Sequence, residues 1–175
     1  MQLFEAIQTK VNEWRAQKFA CAYPALAEIL DYARLEGESL RFLRKAQLRA
    51  LETHWYLRVI EKTPHISELY GKYFSLASDR IKALGIPDKN SDINELLVNY
   101  GLPRVLELIR TDDKFVRRFD LESLRETLTL DYPSYIFALA MGAGKTILIG
   151  TIIATEFAMG LEYPDAQFVK NALVF

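Results

Sequence analysis

The stretch Tyr135-Ile136-Phe137-Ala138-Leu139-Ala140-Met141-Gly142-Ala143-Gly144-Lys145-Thr146 decides the reading of this chain. An apolar run leads into a glycine-rich turn, Lys-Thr follows, and a second apolar run extends from Ile147 to Met159. A strand, a glycine turn and a helix opening on Lys-Thr form the layout of a nucleotide-phosphate cradle. Gly142 and Gly144 allow backbone angles that side chains forbid, so that N–H groups can converge on phosphate oxygens. The helix that starts near Lys145 brings its positive dipole end to the same point. The Lys145 ammonium then reaches the β and γ phosphates, and the Thr146 hydroxyl takes one Mg²⁺ position. A Gly-x-Gly-Lys-Thr pentad also occurs in loops that bind nothing, and it is the apolar run on either side that favours the phosphate reading.

Working upstream, residues 1–130 read as helices. Phe4, Ile7, Val11 and Trp14 share one face of a first helix, and Pro24 opens a second whose buried side is Leu26, Ile29 and Leu30. A long helix is expected from about Leu40 to Lys62, with Leu48, Leu51, Trp55 and Val59 as its apolar stripe and Pro64 as its stop. Another runs from Ile66 to Leu84. Gly85 to Ser91 is a loop, Asp92 with Glu95 suggests a capping box, Gly101 closes that helix and Pro103 opens the next. One or two short helices fill 112–128. From 131 the character changes, and Tyr135–Leu139 and Ala172–Phe175 read as two parallel strands around a buried helix capped by Gly160. The expected fold is therefore a mainly α amino-terminal region, 1–130, leading into the start of an α/β RecA-like lobe, 131–175, with an incomplete parallel sheet. Two strands and no acidic pair to hold Mg²⁺ suggest the amino-terminal part of a longer protein.

The 175 residues carry a net charge of −1 and are half hydrophobic, as in an ordinary globular chain. Arg41, Arg44, Lys45, Arg49, Arg58 and Lys62 cluster against only Glu52 and Glu61. Such a basic face is usually just solvated, and otherwise meets nucleic-acid phosphate. The single Cys21 excludes a disulfide framework and a thiolate metal site. No leader pattern opens the chain, and Lys145 and glycines interrupt its most apolar stretch, so the expected setting is cytoplasmic with no membrane span.

Met141-Gly142-Ala143-Gly144-Lys145-Thr146 is similar to motif I of superfamily 2 DEAD/DEAH-type helicases, and looks most like the branch containing type III restriction enzyme subunits. Leu43-Arg44-Lys45-Ala46-Gln47-Leu48-Arg49-Ala50-Leu51 resembles the segment these proteins carry upstream of motif I, with Arg and Gln three apart and Ala three further on. Leu139 stands where the general phosphate-loop pattern has Gly or Ala, and Ala46 where the family often has an aromatic residue. The resemblance implies an ATP-dependent DNA helicase or translocase, with ATP and Mg²⁺ as cofactors, DNA as partner and a methyltransferase subunit as a possible second one. It implies that Gln47 reads the adenine edge, that Met141 to Thr146 hold the phosphates, and that Lys145 and Thr146 take part in hydrolysis, with Thr146 on the metal. The helices between Gln47 and the loop, 63–130, are then an insertion. Another phosphate-loop NTPase, or a helical partner-binding module without catalysis, are the alternatives.

Overall fold

The computed structural model describes residues 1–34, 42–86, 91–128, 130 and 132–172. Among these, every regular element is a helix and none is a strand. The expected α/β lobe with its parallel sheet is thus corrected. Residues 133–140 run as irregular chain, and Ile136 is 86% exposed. The physical reason is that a strand exists only through its ladder, and a lone apolar run with no neighbour has none. Ala172 is irregular as well, and the rest of the second expected strand, Leu173–Phe175, lies outside the described residues.

The chain divides into two compact units, one of residues 1–8 and 63–136, the other of 9–62 and 137–175. The expected division lay at 130/131 instead; here the segment that carries Gln47 belongs to the same unit as the glycine loop. Helix α1, Leu3–Ala16, contributes residues to both units. Its buried stripe is Leu3, Ile7, Val11 and Trp14, while Phe4, expected on that face, is 70% exposed.

The second unit continues with α2, Pro24–Ala33, started by proline in its first turn and burying Leu26, Leu30 and Ala33. Helix α3, Lys45–Trp55, runs into a π-helical turn, Tyr56–Ile60, so the expected 40–62 helix is shorter and ends differently; Leu40 and Arg41 lie outside the described residues. Leu48, Leu51 and Trp55 are buried as the stripe requires. Trp14 packs edge-on to Phe19, and Tyr23 meets both Tyr163 and Phe168, so aromatic rings form much of this core.

The first unit holds α4 (Ile66–Tyr73), α5 (Ala77–Ala83), α6 (Ser91–Thr111), α7 (Asp113–Phe119) and α8 (Glu122–Leu128) around a core that includes Ile81, Ile93, Val105, Ile109 and Leu121. The single helix expected over 66–84 is two. Phe74 turns extended (φ −127°, ψ 98°) and is buried, and the Arg80 Nε–H donates to its carbonyl at 2.7 Å, so the break is held by a side chain from the next helix. Gly101, at φ 75° and ψ 174°, interrupts α6, with Pro103 in the first turn beyond it, as the residues suggest. Asp92 lies in the first turn of α6, and its carboxylate pairs with Arg118 at 2.6 Å. Asp112 caps α7, its Oδ1 accepting from the Lys114 and Phe115 N–H groups. Among the described residues, no helix is long and apolar enough to cross a membrane.

Candidate functional site: a glycine loop held by two side chains

Helix α9, Lys145–Glu162, starts where Gly144 takes the left-handed conformation (φ 80°, ψ 48°). Gly142 is left-handed too, at φ 73°. Between them the Ala143 N–H donates to the Ala140 carbonyl at 3.2 Å, which closes a turn, and the Leu148 N–H reaches the Gly144 carbonyl to begin the helix. The first turn of a helix leaves its leading N–H groups without helical partners, so the Lys145 end of α9 presents donors and a partial positive charge. Lys145 and Thr146 are exposed, and among the described residues no side chain pairs with the Lys145 ammonium.

Two side chains from the start of α3 hold this loop. The Gln47 Nε2–H donates to the Gly144 carbonyl at 2.7 Å, across 97 positions of sequence. Its Oε1 accepts from the Arg44 backbone N–H at 2.6 Å, which satisfies a leading donor of α3. The Arg44 Nη1–H donates to the Gly142 carbonyl at 2.5 Å. Gln47 is 1% exposed, so its amide is spent inside the protein. A Cβ on Gly144 would collide with Gln47 Nε2, so this glycine serves close approach as well as backbone conformation.

Further along the same helix pair, the Trp55 Nε1–H donates to Thr155 Oγ1 at 3.1 Å in a buried contact. Glu156 is buried and takes Arg58 Nε at 3.0 Å on Oε1 and the Val169 N–H at 3.0 Å on Oε2. His54 Nε2 lies 3.5 Å from the same Oε1, an ionic contact if the imidazole is protonated but not an aligned hydrogen bond. Burial pushes the Glu156 carboxyl up, but His54, the Val169 N–H and Arg58 together outweigh it and hold the pKa at about 2. Glu52, also fully buried, is paired with Arg15.

These pairs change the reading of the basic cluster. Arg44 is spent on the loop and Arg58 on Glu156 and the Gln167 carbonyl, so the six cations do not form one free face. Arg41 lies outside the described residues. Helix α9 is not buried all round as expected: Leu148, Thr155, Glu156, Met159 and Gly160 are buried, but Ile147 and Ile149 are each 52% exposed. Nor does Gly160 cap it. The helix continues to Glu162, and a Cβ at 160 would lie 3.4 Å from the Val169 carbonyl, so the glycine lets residues 168–170 cross closely.

The loop fits a phosphate group: two left-handed glycines, a helix N-terminus, and an exposed ammonium with no partner among the described residues. The loop offers a divalent ion the Thr146 hydroxyl, and among the described residues no group of three His, Cys, Asp or Glu side chains could hold a metal. Mg²⁺ fits here only as a companion of the nucleotide, since it keeps its waters and binds largely through phosphates. No family model, curated protein or solved structure matches the chain.

Proposed function

We propose that the chain binds ATP through the loop Met141 to Thr146, and that it is the nucleotide-binding part of an ATP-dependent DNA helicase or translocase of the type III restriction kind. One observation carries this reading. Gln47 and Gly144, the two sequence features on which the family resemblance rests, are joined by a hydrogen bond although 97 positions separate them. In this reading Lys145 neutralises charge on the β and γ phosphates, and Thr146 supplies one ligand to a Mg²⁺ that arrives with ATP and shields the phosphate charge. In this reading ATP hydrolysis is coupled to DNA, with a modification subunit as a further partner.

Calorimetric titration with MgATP tests it. The chain should bind, and Lys145→Ala should weaken binding by at least about tenfold with the circular dichroism spectrum unchanged, because a charge-assisted phosphate contact is lost. Equal affinity in the two proteins would overturn the assignment. The exposure of Ile147 and Ile149 favours a second reading, a helical module that binds a protein partner. A chain that binds no nucleotide at all would favour it.

A further inference from the structure

We infer that Gln47 is a positioning residue that orients the glycine loop for phosphate, and not a reader of the nucleotide base; this rests on the phosphate-binding reading above. The peptide group is planar and trans, so fixing a carbonyl fixes the direction of the following N–H. The Gly144 carbonyl is fixed by two donors, Gln47 Nε2 at 2.7 Å and the Leu148 N–H at 3.2 Å. The Lys145 N–H is therefore aimed the opposite way, out of the helix N-terminus and towards the space where a phosphate would sit. Arg44 does the same for the Gly142 carbonyl, whose peptide partner, the Ala143 N–H, closes the turn. A glycine-rich loop without such restraints samples many backbone states, and ordering it on binding costs affinity.

The amide of Gln47 is not presented to a base edge in this arrangement. An amide offers one carbonyl oxygen and two N–H donors. Here the oxygen accepts from the Arg44 N–H and one donor is held by the Gly144 carbonyl, and with the residue 1% exposed the second donor is enclosed as well. Reading adenine would require both bonds to break and the residue to emerge. Holding the loop requires no change.

The test compares ATP, GTP and inorganic tripolyphosphate, each titrated into the chain and into Gln47→Met, a neutral change of similar length. A loop-positioning role predicts that all three ligands weaken by the same factor, about tenfold, since one hydrogen bond to the loop is lost whatever the base. The carbonyl ¹³C resonance of Gly144 should also move in the ligand-free variant, which a residue acting on the base would not cause. Gln47→Glu is the second variant, because its carboxylate still accepts from the Arg44 N–H but cannot donate to Gly144. It should shift the same resonance even if Gln47→Met proves unstable. Loss confined to ATP, or an unmoved Gly144 carbonyl in both variants, would overturn the inference. A parent chain that binds none of the three ligands would instead remove the phosphate reading on which it stands.

Discussion

Gly144 carries two separate constraints, and its neighbour Gly142 carries one. Both sit at positive φ, where a side chain is strained by roughly 1–2 kcal/mol. Only Gly144 also faces Gln47 at a distance that leaves no room for a methyl group, while nothing lies within 4 Å of the corresponding position at Gly142. Gly144→Ala should therefore destabilise the chain more than Gly142→Ala in urea denaturation, the excess measuring the displacement of Gln47. Equal costs would mean that the Gln47 contact contributes little. The conformations of these glycines were legible in the sequence because they are local: the Gly-x-Gly spacing before Lys-Thr demands them. The burial of Glu52 and Glu156 was not, because their partners are remote in sequence, Arg15 lying 37 positions from Glu52 and Arg58 lying 98 from Glu156. Only their position among apolar helical residues could have hinted at it.

At the scale of elements, the joint of α3 and the π-helical turn after it with α9 is polar at intervals along its length: Gln47 with Gly144, Trp55 with Thr155, and Arg58 with Glu156. Buried polar pairs of this kind fix the register of one helix on another, since sliding either would strand unpaired groups. Glu156 makes the joint sensitive to acid. Its folded pKa, about 2, lies below the ordinary value of 4.5, so the folded state binds fewer protons than the unfolded state between these values. The stabilisation is fully present above pH 4.5 and is lost as the pH falls towards 2, amounting to about 3 kcal/mol. Glu156→Gln should flatten the dependence of stability on pH within that window, measured by urea midpoints at several pH values. An unchanged slope would show that Glu156 is not held as the structure has it. Several helix boundaries followed from Pro24, Gly101 and Pro103, whose effects are also local. The strand expected at Tyr135–Leu139 failed because β-branched and aromatic composition expresses a preference, and a partner strand is what realises it.

For the whole molecule, a net charge of −1 gives no general attraction for anions, so any affinity for phosphate must be local to the loop. The sequence made the loop visible, together with Gln47, but not the manner in which the two meet. Nor was it visible that residues 9–62 and 137–175 form one unit, a division set by contacts between distant segments. Binding at the loop is the central claim, and the measurement that tests it most directly is a titration of tripolyphosphate followed by ¹H–¹⁵N correlation spectra of the 175-residue chain. The amide signals of Gly142, Gly144, Lys145 and Thr146 should shift together and saturate, and the Lys145→Ala chain should lose the effect. Shifts centred instead on the exposed cations Lys45, Arg49 and Lys62, or no shift at the loop, would contradict it.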